Sequence, residues 1–187
     1  MKHGIATKER ELYATVWSAI DTYADSAPGQ QYVPLFLQMI GPERGTILDA
    51  GCGSGKGALA LKAAGFDVTM CDLTAEGLVP EAQDIPFTFR VLWHPSKPDA
   101  YDFAYCCDVL EHVPTQFTML VVQQLLTTAK RVFIAVSNVQ DINGAWVGQS
   151  LHQTVQPFTW WRDSFREIAK VVEARDLHET SAFLLER

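Results

Sequence analysis

The segment Ile47-Leu48-Asp49-Ala50-Gly51-Cys52-Gly53-Ser54-Gly55-Lys56-Gly57 constrains this chain more than any other. It ends an apolar strand in a glycine-packed turn that opens directly into a helix. Glycines there let the backbone turn sharply and let N–H groups approach a ligand that any Cβ would obstruct. Asp49 at the strand's end repels a pyrophosphate but pairs, directly or through water, with an ammonium group. The motif therefore favours a nucleotide-like cofactor that is cationic. A P-loop reading fails at two positions, because Ala50 replaces the first glycine and Gly57 the hydroxyl residue. A dinucleotide fingerprint survives in a shifted frame, Gly53-x-Gly55-x-x-Ala58, with Asp72 as ribose acid, so NAD stays open on this motif alone.

Around the motif, apolar runs alternate between strand and helix spacing. Strands are expected at Thr46 to Asp49, Asp67 to Cys71, Thr88 to Leu92, Tyr101 to Cys106 and Arg131 to Val136, with helices at Ala58 to Ala64 and Thr115 to Thr128. Two further strands, at Lys170 to Arg175 and Ala182 to Glu186, close the chain. The region Leu73 to Pro86 is irregular and is expected to hold little helix. Alternation of this kind predicts an α/β fold with a mainly parallel sheet and right-handed crossovers. Before it, Leu12, Val16, Ala19, Ile20 and Tyr23 mark an amphipathic helix over Lys8 to Tyr23. Ser26-Ala27-Pro28-Gly29 breaks it, and a second short helix follows at Val33 to Ile40. The domain reading is a helical cap segment over 1–45 and a cofactor-binding core over 46–187.

At this point the chain resembles the class I S-adenosylmethionine (SAM) methyltransferases, whose first motif is an apolar pair, an acid, then Gly-x-Gly-x-Gly. Asp72 closes the second strand where that family grips the ribose hydroxyls. Tyr101 to Pro114, with Val109-Leu110-Glu111-His112-Val113, is similar to the family's fourth strand and the helix after it. The likeness runs from Thr46 onward and implies a Rossmann-like three-layer sandwich. Its seven-stranded sheet is mainly parallel with the last strand antiparallel, N-terminal helices cap it, and the fold ends with Arg187. It also implies roles. Gly51, Cys52, Gly53 and Gly55 shape the cofactor loop, and Asp49 orients the ammonium end. Asp72 and Leu73 hold the ribose side, and Cys107 and Asp108 border the methionine. The cofactor is then SAM, the product S-adenosylhomocysteine, and the reaction methyl transfer to an oxygen or nitrogen of a small-molecule acceptor. One departure stands out. Where family members place an acid beside the adenine, this chain has Val91-Leu92-Trp93-His94-Pro95, and Trp93 is offered as a stacking face.

Composition narrows the partners. In 187 residues the formal net charge is −7, which disfavours loose binding to nucleic acid. No stretch reaches the roughly twenty apolar residues of a membrane span, and Met1-Lys2-His3-Gly4 lacks a signal peptide's apolar core, so a cytoplasmic protein is expected. Cys52, Cys71, Cys106 and Cys107 form no Cys-x-x-Cys set and read as packed, reduced thiols. No Asn-Pro-Pro-Tyr-like motif follows the fourth strand, as DNA base methylation would need, nor the paired glutamates of arginine methylation. Oligomeric state is not read from the sequence.

The SAM sulfonium is already activated, so catalysis needs an aligned nucleophile and something to take its proton. Histidine suits that task, and His152 and then His112 are the candidates. His152 lies in Asn138 to Gln156, a long polar loop that leads into Pro157-Phe158-Thr159-Trp160-Trp161. Trp160 and Trp161 read as packing residues of the next helix. Tyr13, Trp17, Tyr23 and Tyr32 are candidate acceptor-pocket residues of the cap. Asp108, Glu111 and His112 stand at i, i+3 and i+4, one helix face, with His152 as a possible fourth group. This is similar to the Glu-x-x-Glu-His arrangement of ubiquinone-pathway O-methyltransferases and small-RNA 2′-O-methyltransferases, which hold a divalent metal. Asp is a shorter arm than the first Glu, and Leu-Glu-His-Val is widespread in metal-free relatives, so the sequence reading assigns no metal. The alternatives carried forward are a metal-assisted O-methyltransferase acting on RNA or a quinone or lipid, and a non-catalytic SAM-binding protein.

Overall fold

A computed structural model describes residues 2–19 and 28–187. Its sheet is built from β1 (Thr46–Ala50), β2 (Asp67–Asp72), β3 (Phe87–Phe89), β4 (Tyr101–Cys107), β5 (Ala129–Ser137), β6 (Lys170–Asp176) and β7 (Thr180–Glu186). Helices α1 (Lys2–Ala19), α2 (Val33–Ile40), α3 (Lys56–Ala63), α4 (Thr115–Thr128) and α5 (Phe158–Arg166) complete it. The strand order is β3-β2-β1-β4-β5-β7-β6. β1 to β5 pair in parallel, and β7 runs antiparallel to both neighbours. The order reverses between β1 and β4, which opens a crevice beyond their carboxyl ends.

Strand alternation sorts the core into two layers. On one face Ile47, Met70, Phe103, Tyr105 and Phe133 pack under α2 and α3. There Phe36 sits 5.3 to 5.7 Å from the rings of Phe66, Phe103, Tyr105 and Phe133. On the other face Leu48, Ala104, Cys106, Val132 and Ile134 meet α4 and α5. α4 turns Phe117, Val121, Val122 and Leu125 inward, spaced for one helical stripe. Cys106 and Cys107 fall on opposite faces, as alternation requires.

Between β2 and β3 the chain makes only a single 3₁₀ turn, Pro80–Ala82, in line with the little helix expected there. Two boundaries differ from the sequence reading. β3 ends at Phe89, and Val91 to Trp93 leave the sheet to pack beside it. α1 starts earlier than Lys8, while Ile20, Tyr23, Ser26 and Ala27 lie outside the described residues. Trp161 is fully buried against Phe165, a packing residue as expected.

Candidate active site

The loops after β1, β2, β3, β4 and β5 and the inner face of α1 surround one cleft at the switch point. The glycine loop forms its floor. Gly51, Gly53 and Gly55 take φ of +78°, +50° and +77°, a conformation that side chains resist. Gly51 and Cys52 donate their amides to the Cys71 carbonyl at 2.8 and 3.2 Å, which binds the loop to the end of β2. A Cβ on Gly51 would stand 2.5 Å from Val109 Cγ2, and one on Gly53 would stand 2.9 Å from the ring of Trp17. Gly55 faces Ala82, Leu78 and Met70 and does not line the cleft; it shapes the turn from behind.

Two carboxylates flank this floor. Asp49 is 4% exposed, and its Oδ2 has no partner among the described residues. Desolvation, then the charge of Asp72, pushes its pKa up to about 7, against a hydrogen bond from the Ala58 amide. Asp72 accepts the amides of Gly53 at 2.8 Å and Leu73 at 2.6 Å, so the acid also ties the glycine loop to β2. Burial raises its pKa too. Cys52, Leu73 and Cys107 line the cleft beside these acids, and burial pushes both thiols up, away from nucleophilic character.

At the far end the chain assembles a second constellation. Asp108 takes φ +59° after β4, and Leu110–His112 follows as a 3₁₀ turn, with Val109 outside regular helix. The expectation that Asp108, Glu111 and His112 share a helix face is therefore corrected. A left-handed residue and a tight turn bring them together instead. With His152, each offers one ligand atom, and these atoms lie within 4.8 Å of one another. Glu111 is fully buried. Its Oε1 accepts the Ser137 amide at 2.7 Å and its Oε2 has no partner among the described residues. Burial, then the Asp108 charge, drives its pKa well above the carboxylate range.

The two imidazoles lie with centroids 4.6 Å apart at 88°. His112 Nδ1 is 2.8 Å from the Tyr13 hydroxyl, and burial lowers its pKa to about 4, so the ring is neutral. His152 Nδ1 lies 2.6 Å from the Val139 carbonyl. A carbonyl only accepts, so Nδ1 donates here, and in the neutral ring the lone pair is then on Nε2.

Asp141 sets His152 in place. Its carboxylate accepts the amides of Gly144, Leu151 at 2.7 Å and His152 at 3.0 Å, and the Ser150 hydroxyl at 2.9 Å. Burial pushes against ionisation, but these bonds outweigh it and hold the pKa down at about 2. From α1, Glu9 accepts from Gln153 Nε2 at 3.1 Å, and that nitrogen also donates to the His112 carbonyl. Of the cap aromatics, Tyr13 and Trp17 line the cleft. Tyr32 lies outside it and bonds Thr180 at 3.1 Å. Trp93 lines the cleft with one face stacked on Phe117 at 10°, and the whole side chain is only 4% exposed. Sequence reasoning missed Glu9, Arg90 and Asp141. Only Asp141 left a trace, in the turn-forming run Asp141-Ile142-Asn143-Gly144.

Comparison with known proteins agrees with this architecture. A family model described as a methyltransferase domain matches residues 25–180, so the likeness begins upstream of β1 and includes α2. The putative methyltransferase YqeM of Bacillus subtilis is 30% identical over 130 residues, covering 65% of this chain and 50% of that protein. The ubiquinone biosynthesis O-methyltransferase of Photorhabdus laumondii is 32% identical over 143 residues, 68% of this chain and 59% of that one. The chain thus spans about half the length of the curated relatives it matches. Among solved structures, the 1,6-didemethyltoxoflavin-N1-methyltransferase of Burkholderia thailandensis, with 1,6-didemethyltoxoflavin and S-adenosylhomocysteine bound, superposes with a TM-score of 0.76 at 16% identity. That match covers 100% of this chain and 89% of that one. A glycine loop answered by a second-strand acid, on a sheet of this order, and a domain match over most of its length place the chain in the methyltransferase-domain family with a Rossmann-like fold.

Proposed function

We propose that this chain transfers the methyl group of SAM to an oxygen or nitrogen of a small-molecule acceptor. Asp49 carries the reading. A buried carboxylate with an open oxygen, beside loop amides already given to the Cys71 carbonyl and the Asp72 carboxylate, is matched by the ammonium of a cationic cofactor. In this reading the methionine moiety lies over Gly51 to Gly53, with Cys52, Cys107 and Asp108 beside it. The ribose meets Asp72 and Leu73, and the acceptor enters between α1 and the loop carrying His152. When bound, SAM would supply an activated methyl group to the acceptor lone pair, with S-adenosylhomocysteine as the leaving group. His152 Nε2, whose tautomer the Val139 carbonyl selects, would take the acceptor proton. A small acceptor suits a chain of net charge −7, and the 1,6-didemethyltoxoflavin bound in the Burkholderia structure of the same fold is a small molecule.

A second reading rests on the cluster at Asp108, Glu111, His112 and His152. Its residues fit a divalent cation. Two carboxylates adjoin, a buried carboxylate oxygen lacks a partner, and each imidazole has its Nδ1 engaged, by Tyr13 or Val139, in the manner of outer-sphere support. Mixed carboxylate and imidazole donors suit Mg²⁺, Mn²⁺, Co²⁺ or Zn²⁺. When bound, such an ion lowers the pKa of an acceptor hydroxyl. Likeness to a ubiquinone biosynthesis O-methyltransferase supports an oxygen acceptor in this case.

Calorimetry with S-adenosylhomocysteine, NAD⁺ in parallel and an Asp72→Ala variant tests the cofactor. Binding lost in the variant supports the proposal, and binding of NAD⁺ alone sinks it. Turnover on an acceptor panel with chelator, then Mn²⁺ or Co²⁺, separates the two readings. Tight binding with no turnover on any acceptor would favour a non-catalytic SAM-binding protein.

A further inference from the structure

SAM is a linear chain of methionine, ribose and adenine. With the ammonium at Asp49 and the ribose at Asp72, as proposed above, the base lies beyond β2 on the side of β3. Asp72 pairs with Phe89 in the sheet, and the Arg90 amide donates to the Asp72 carbonyl at 2.8 Å. The next residues outward, Arg90, Leu92 and Trp93, line the same cleft. Leu73, Leu92 and Val109 supply apolar surface for a flat ring.

The polar side chains that line the cleft beyond Asp72, Arg90 and Trp93, are both donors. The Arg90 guanidinium forms no ion pair with a carboxylate among the described residues, and its hydrogen-bond partner is the Ser96 hydroxyl, which leaves further N–H groups. Trp93 is 4% exposed, its Nε1 has no partner among the described residues, and Phe117 covers one face of its ring. A buried indole N–H without an acceptor is uncommon in folded proteins and marks a place for one. The cleft's other carboxylates stand at the opposite end. Asp108 adjoins Glu111, Asp141 holds the His152 amide, and Glu9 bonds Gln153.

We propose that Arg90 and Trp93 read the edge of the cofactor's base by donating to its ring acceptors, with no carboxylate among the described residues placed to accept from the 6-amino group. The cofactor site then recognises where the base accepts and ignores where it donates.

Binding of S-adenosylhomocysteine and its 6-deamino analogue, in which purine replaces adenine, to the intact chain tests this by calorimetry. The analogue loses the 6-amino donor and keeps every ring acceptor. We expect the two to bind within about threefold. A deamino analogue weaker by more than about tenfold overturns the proposal, because some acceptor then holds the amino group. The 1-, 3- and 7-deaza analogues of S-adenosylhomocysteine supply the second arm. At least one is expected to bind about fivefold or more weakly, with the deficit shrinking in Arg90→Met or in Trp93→Phe, which keeps the stack on Phe117. Equal binding of all three overturns the proposal on the wild-type chain alone, whatever the variants do. Absence of S-adenosylhomocysteine binding overturns the cofactor reading as well, so the two failures are told apart.

Discussion

Replacing Asp49 by Asn sets stability against binding with a sign that pH reverses. Burial and the neighbouring Asp72 raise the Asp49 pKa from 3.8 to about 7. A carboxylate whose folded pKa is raised loses stability as pH climbs from its unfolded value through its folded one, because the folded chain holds its proton longer. At about 1.4 kcal/mol per pKa unit, ionised Asp49 costs the ligand-free fold about 4 kcal/mol at pH 8. Asn removes that charge, but its amide N–H groups face the spot where Oδ2 has no partner, which costs about 1–3 kcal/mol. The balance is a gain of about 2 kcal/mol at pH 8, a rise in Tm of roughly 4–8 °C for a chain of this size. At pH 5.5, partway between the two pKa values, the cost of the wild-type acid has fallen to about 2 kcal/mol, so the gain vanishes or turns into a small loss. Scanning calorimetry of both proteins at the two pH values checks this, with S-adenosylhomocysteine titrations expected to show at least about tenfold weaker binding by the variant. An Asn variant less stable than wild type at pH 8, or a difference independent of pH, refutes the assignment of Asp49 as a strained acid awaiting a cation.

Three further outcomes rest on the geometry. Gly51→Ala places a Cβ 2.5 Å from Val109 in a left-handed conformation; a loss of about 3 kcal/mol in urea unfolding is expected, of which Val109→Ala restores only the part due to the clash. Glu111→Gln keeps an oxygen for the Ser137 amide but cannot ionise onto a cation; Co²⁺ titration followed by visible absorption should lose its saturable signal while S-adenosylhomocysteine affinity changes less than about twofold. Asp141→Asn loses acceptor capacity for the amides that seat His152; turnover should fall roughly tenfold to a hundredfold with KM for SAM unchanged, and a matching rise in that KM would contradict a positioning role.

The sheet was legible because each strand declares itself by alternation. Ile47 and Leu48 point to opposite layers, as do Phe103 and Ala104, and the order follows from parallel crossovers. β3 was misplaced because Val91, Leu92 and Trp93 are apolar for a different reason: they pack toward Phe117 and the cleft after the strand has ended. The glycine loop and its two acids were legible since their chemistry is local. The second constellation was only half so. Spacing suggested a helix face, whereas a positive φ at Asp108 and a 3₁₀ turn set the geometry, and neither leaves a periodic trace. Tyr13 meets His112 across 99 positions, and Gln153 meets Glu9 across 144. Such pairs depend on where α1 lies over the sheet, which no pattern within either segment records.

Three buried side-chain polar atoms lack a partner among the described residues: Asp49 Oδ2, Glu111 Oε2 and Trp93 Nε1. All belong to the cleft or to the cluster beside it, and the other buried polar side chains described are satisfied. The ligand-free chain thus concentrates its discomfort in one place, and whatever fills that place relieves it. Ligand that binds only the folded form stabilises it by mass action, about 2.7 kcal/mol at a hundredfold excess over Kd. In a cell, the lifetime of this polypeptide against proteolysis would then follow the supply of its cofactor, and starvation for methyl donor would thin the population of molecules before it slowed each one.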